Sequence, residues 1–109
     1  MPFNEALAQR IRRLLKDERA VSEKRMFGGL AFMVNGHMCC GIVGTDLVVR
    51  VGTEKHEEAL KCAGARPMDF TGKSMKGFVY VAPAGYRSSG DLRRWIRRGL
   101  EFVTALPPK

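Results

Sequence analysis

The 109-residue sequence predicts an α+β domain, a two-layer α-β(3)-α-β(2)-α sandwich in which a five-stranded antiparallel sheet carries its helices on one face. Three observations predict it. Apolar residues recur at helical spacing near both ends of the chain, and between those ends they switch to the shorter period of strands. An Asn-Gly dipeptide, Asn35-Gly36, also lies between two apolar runs, the strongest short-range signal for a hairpin.

The first element follows from Leu7, Ile11, Leu14 and Leu15, with Arg10, Arg12, Arg13 and Lys16 elsewhere on the wheel. They predict a helix over 4–16 with Asn4 as its N-cap. After a charged connection, "RMFGGLAFMV" and "HMCCGIVG" flank Asn35-Gly36 as two strands, and a second turn at 44–46 leads into "LVVRVG". "TEKHEEALKCAG" predicts a short second helix, with Thr53 as N-cap and Gly64 as the stop. "RPMDF" and "GFVYVAP" read as two more strands joined by the polar loop "TGKSMKG", and Pro83 and Gly85 end the sheet. Ser88-Ser89-Gly90-Asp91 resembles a capping box, after which Leu92, Ile96, Gly99, Val103 and Leu106 line one face of a third helix as far as Pro107.

Bulk composition narrows the class. A content of 45% hydrophobic and 28% charged residues is that of an ordinary globular protein, and the length suits one domain over 1–109. No apolar run approaches the roughly 20 residues needed to span a bilayer, and the N-terminus has no signal-peptide core, so a cytoplasmic protein with no membrane contact is predicted. Three cysteines, an odd number, are expected as thiols. Nineteen Lys and Arg against 11 acidic residues give a net charge of +8, which favours polyanionic partners.

The cluster "NGHMCCG" suggests a metal or redox site. In a regular strand, however, Cys39 and Cys40 point to opposite faces, Cys40 with Met38 and Ile42 and Cys39 with Gly41 and Val43, so they cannot share a metal. Buried core thiols are expected instead, with no metal and no cofactor. His37 and His56 have no ligand spacing, and Cys62 stands alone near the end of the second helix. Gly72-Lys73-Ser74 looks like the tail of a phosphate-binding loop, but the glycine that pattern requires is Pro67, and the segment lies between two strands. With no nucleophile and base pattern, no catalysis is expected.

The arginines of the last helix say more. At 100° per residue, Arg93, Arg94, Arg97 and Arg98 occupy one sector opposite its apolar face, with Arg87 just before it. These five are the candidate nucleic-acid contacts. With no base-reading motif in the sequence, the expected contact is to phosphates. Arg10, Arg12, Arg13 and Lys16 extend the patch if the two helices are neighbours.

"KRMFGGLAFMVNGHMCCGIVGTDLVVRVG", followed by "ARPMDFTGKSMKGFVYV" and the closing amphipathic helix, resembles the N-terminal domain of the TfoX/Sxy family over nearly the whole chain. The blocks Met26-Phe27-Gly28-Gly29, Pro67-Met68 and Lys76-Gly77-Phe78 carry the resemblance. It implies a fold similar to type III secretion chaperones, and a relation to regulators of bacterial competence that act with the cAMP receptor protein at promoters. With the sequence ending at Lys109, a stand-alone domain without the helical C-terminal domain of those regulators is expected, and no binding residue is carried over. Within the motif, Gly28-Gly29 fits a bulge or bend, and Met26 and Phe27 fit core contacts.

The expected function is a small non-catalytic accessory regulator that contacts a protein partner such as the transcription machinery, together with weak, nonspecific DNA binding. The alternative is a chaperone-like interaction module without a nucleic-acid role. Apolar residues on both strand parities, Met33 and Val43 as well as Phe32 and Ile42, predict burial of both sheet faces and a homodimer.

Overall fold

A computed structural model describes residues 4–18, 20–26, 28–70 and 73–107. Helix α1 spans Glu5–Leu15. It begins where Asn4 Oδ1 accepts the Leu7 N–H at 3.2 Å, and it buries Leu7, Ala8, Ile11 and Leu15. The charged connection after it is partly a strand. β1, Val21–Met26, pairs antiparallel with β2, Gly29–Val34, from Val21 opposite Val34 to Met26 opposite Gly29. Among the described residues the sheet therefore has six strands rather than five: with β3 (His37–Val43), β4 (Asp46–Arg50), β5 (Ala65–Phe70) and β6 (Lys73–Val81) the order is β1-β2-β3-β4-β6-β5. β1 escapes sequence reading because Ser22, Glu23, Lys24 and Arg25 are all exposed, which leaves no apolar alternation; charge on an edge strand also guards the open edge against further pairing.

The glycine pair of the family motif lies at the β1–β2 turn, not at a bend within one strand, and Phe27 falls outside the described residues. Gly29 is needed for close approach, since a Cβ there would come within 1.9 Å of the Ile42 carbonyl oxygen on the neighbouring strand. The predicted hairpin at Asn35-Gly36 is present. Both residues have positive φ, 54° and 84°, as a two-residue type I′ turn requires, and β3, His37–Val43, returns along β2.

β4 covers Asp46–Arg50, and α2 is only His56–Leu60, capped by Lys55 without a side-chain bond rather than by Thr53. β5, Ala65–Phe70, and β6, Lys73–Val81, take in most of the expected polar loop, so that Lys73 and Ser74 oppose Phe70 and Asp69 in a ladder. A short helix absent from the sequence reading, α3, occupies Pro83–Tyr86 with Pro83 in its first turn. α4 runs Ser89–Thr104, and Ser88 Oγ accepts the Asp91 N–H at 3.0 Å as its sequence predicts.

One face of the sheet enters a core with all four helices. Leu30, Phe32, Cys40, Ile42, Leu47, Val49, Val79 and Val81 meet Leu7 and Ile11 of α1, Ala59 of α2, Tyr86 of α3, and Leu92, Ile96 and Val103 of α4. On the other parity, Ala31, Gly41, Val48 and Tyr80 are paired in a row across four strands. Near them lie half-buried Met33, Met38 and Val43.

Candidate binding surface

The five candidate arginines lie on and just before α4, and the helix divides them. Leu92, Trp95, Ile96, Gly99 and Val103 face the core, which turns Arg93 and Arg97 toward α1 and Arg94 and Arg98 toward α2 and α3. The second pair is occupied. Arg94 Nη2 donates to Asp91 Oδ1, and that bond, with help from the Ser88 hydroxyl, holds the Asp91 carboxyl below its usual range. Arg98 lies over the Trp95 ring, 5.5 Å from its centroid, and its Nη2 reaches Cys62 Sγ at 3.6 Å. Trp95 is itself fixed by its indole N–H, which donates to the Gly85 carbonyl at 3.1 Å.

The first helix sorts its cations in the same way. Arg12 donates to both Glu23 oxygens at 2.7 and 2.8 Å and to Glu5 at 3.1 Å, tying β1 to α1; its guanidinium depresses the Glu23 pKa, so its charge is compensated. Arg10 Nη2 lies 3.1 Å from the Tyr86 and Arg87 carbonyl oxygens and 3.4 Å from that of Ser88, joining α1 to the α3–α4 corner. Tyr86 completes that corner by donating its hydroxyl to the Thr45 carbonyl. Arg13, Arg93 and Arg97 are exposed and, among the described residues, have no hydrogen-bond or ion-pair partner. Arg87 is exposed as well, at the corner.

α1 and α4 are neighbours, as the extended patch requires, and between them runs a trough. Its upper part, about 200 Å³, is lined by Arg10, Arg13, Leu14, Ser89, Leu92 and Arg93. Its lower part, about 300 Å³, is lined by Leu14, Glu18, Arg93, Ile96, Arg97 and Leu100. Arg93 and Leu14 belong to both, so the two parts form one trough with an aliphatic floor and cationic walls. The sequence places Leu14 in the apolar stripe of α1 without marking it as a trough residue, and Leu100 is not singled out at all. The signal was there, since each lies beside the buried stripe of its helix and remains half-buried after folding.

The cysteine cluster departs from its expected geometry. Between Phe32 opposite Cys40 and Met33 opposite Met38 the register shifts, leaving Cys39 as the extra residue of a β-bulge in β3. The bulge reverses the alternation. Met38 turns to the face of Gly41, where its methyl lies over that glycine, while Cys39 and Cys40 both enter the helical core. Cys39 Sγ faces Gly99 of α4, and the hydrogen bond that the Cys40 thiol donates to Cys39, together with burial, pushes the Cys40 thiol well above its usual range. Both are fully buried, as expected of core thiols, and Cys62 is half-buried. Among the described residues no group of three or more His, Cys, Asp or Glu is placed to hold a metal.

His37 Nε2 lies 2.7 Å from the Pro107 carbonyl, joining the hairpin to the end of α4. His56 is buried at 6% exposure, and among the described residues its Nε2 has no partner. Gly72 of the Gly-Lys-Ser stretch lies outside the described residues.

The family model for the TfoX N-terminal domain matches residues 13–103. The chain belongs to that family. The match runs from the last turn of α1 to the last turn of α4 and so takes in Arg13, Arg93 and Arg97. No curated protein and no solved structure matches the chain. Among the described residues no helix is long and apolar enough to cross a membrane.

Proposed function

We propose that this chain is a non-catalytic regulatory module of the TfoX/Sxy type, and that it works by holding an anionic macromolecular partner on its α1–α4 side. The observation that carries the reading is that arginines from two separate helices, Arg13 with Arg93 and Arg97, line one trough without a partner among the described residues, while Arg94 is paired with Asp91 at the surface and Arg98 is held against Trp95 and Cys62. Leaving guanidiniums uncompensated beside one another is unfavourable in the free protein, and a bound anion removes that repulsion. The net charge of +8 supports the same reading and extends it to weak, salt-sensitive contact with DNA phosphates through Arg87, Arg93 and Arg97.

Elution from an immobilised polyanion with rising salt tests this. R93E/R97E is expected to elute at lower salt than R94E/R98E although both variants change the charge equally, because Arg94 already has Asp91 as its counterion and Arg98 lies against Trp95. Equal shifts would remove any special role for the trough.

A second reading, a chaperone-like module that dimerises in the cytoplasm, is favoured by the opposite sheet face. There Met33, Met38, Val43 and Tyr80 remain half-exposed beside the small residues Ala31 and Gly41, a surface suited to a second copy of the chain. Sedimentation of wild type and M38E distinguishes it: a dimer lost in the variant supports this reading, and a monomeric wild type removes it.

A further inference from the structure

We propose that the α1–α4 trough seats an acidic amphipathic helix of a partner protein. The inference rests on the reading of that trough as the working surface and adds the chemistry of its occupant. Leu92 and Ile96 form the floor at 2% exposure each, and Leu14 and Leu100 stand half-buried along its length, one on each helix. Arg13, Arg93 and Arg97 rise beside them without partners among the described residues. An aliphatic floor between guanidinium walls asks for a ligand with apolar groups on one side and carboxylates flanking them.

The length of the trough suits a helix. From Ser89 to Leu100 the trough follows α4 for about 16 Å at 1.5 Å per residue, the length of three turns. A helix laid between two others places residues i, i+3 or i+4, and i+7 along such a floor, and its flanking Glu or Asp side chains reach the guanidiniums on either side. Charge-assisted pairs between Arg and carboxylate are strong and directional, so Arg93, which lines both parts of the trough, is the central anchor. Glu18 lines only the lower part, which makes that end less cationic and sets the direction of the ligand, with its acidic half toward Arg13.

A DNA duplex fits these observations less well. Duplexes are read by elements that project into a groove or by cations that meet phosphates from outside. At a concave trough the phosphates would touch only the arginine rim, leaving Leu14 and Leu100 uncovered.

The test uses the full chain and three fluorescent probes. One is a Glu-rich peptide of about 14 residues with leucines at helical spacing. The others are the same composition scrambled and a mixed-sequence duplex. Anisotropy gives affinity, and backbone amide NMR shifts give the location. The helical peptide is expected to bind at least about tenfold more tightly than the scramble, with shifts centred on Leu14, Arg93 and Leu100. Binding should weaken in R93E/R97E and, independently, in L100E, whose fold is checked by circular dichroism. Equal binding of the scramble, lost in R93E/R97E, would overturn the helix and leave an anion-binding trough. Tighter binding of the duplex through the same arginines would make the partner a nucleic acid and overturn the proposal. Binding that ignores R93E/R97E, or no binding of any probe, would overturn the trough as working surface along with it.

Discussion

At Gly99, α4 comes so close to the bulge of β3 that an added Cβ would lie 2.8 Å from the Cys39 carbonyl oxygen and 3.0 Å from its Sγ. Gly99→Ala therefore sets two effects against each other. Alanine in a helix interior is favoured over glycine by about 1 kcal/mol. Forcing an extra carbon into a filled core costs about 1–3 kcal/mol, and here the upper part of that range applies because the first atom met is a backbone oxygen that cannot rotate away. The net expectation is a loss of about 1–2 kcal/mol, or a fall in melting temperature of about 4–10 °C for a domain of this size. Gly90, on the same helix, has open space around its missing Cβ, so Gly90→Ala is expected to raise stability by about 0.4–1 kcal/mol. Thermal and urea unfolding followed by circular dichroism measure both. A Gly99→Ala protein as stable as wild type would refute the close packing of α4 on the bulge, and with it the inward turn of both cysteines.

Native thiol labelling should show one fast-reacting group, Cys62, absent in C62S, while Cys39 and Cys40 react only on unfolding; a fast second thiol would contradict their burial. Because Arg12 holds the Glu23 pKa below its ordinary value, the stability from that pair is present above the unfolded pKa and is lost as pH falls through the native one. E23Q should accordingly flatten the loss of stability in the acid range, and at neutral pH it should cost no more than about 1 kcal/mol, the usual size for a partly exposed pair. Trp95→Phe removes the donor to the buried Gly85 carbonyl and should lower stability by about 1–3 kcal/mol in denaturant titrations; an unchanged midpoint would mean that the α3–α4 corner does not depend on that bond.

Local chemistry made much of the fold legible. Asn4 and Ser88 accept the cap bonds their positions predict, and Asn35-Gly36 turns with both φ values positive. What escaped depends on partners distant in sequence. β1 is a strand because β2 offers it a ladder, although its own residues are polar on both sides. The side on which Cys39 falls is set by one residue of slippage between β2 and β3, and alternation along β3 gives no sign of it. The arginines were visible as a sector of a wheel, yet their division was not. Asp91 captures Arg94 within the same helix, but Arg98 is drawn to Cys62 and only the approach of α1 gives Arg93 a neighbour in Arg13. Arg12 lies between Arg10 and Arg13 in sequence, and its loss to Glu5 and Glu23 likewise depends on where β1 folds back.

The claim that the α1 side of α4 is the working side is tested most directly by transcript levels in the organism that encodes the chain. Strains carrying wild type, a deletion, R93E/R97E or R94E/R98E are compared at matched protein abundance. The account predicts that R93E/R97E reproduces the deletion profile while R94E/R98E stays close to wild type. The reverse pattern, or two variants indistinguishable from wild type beside a deletion that changes transcripts, would contradict it.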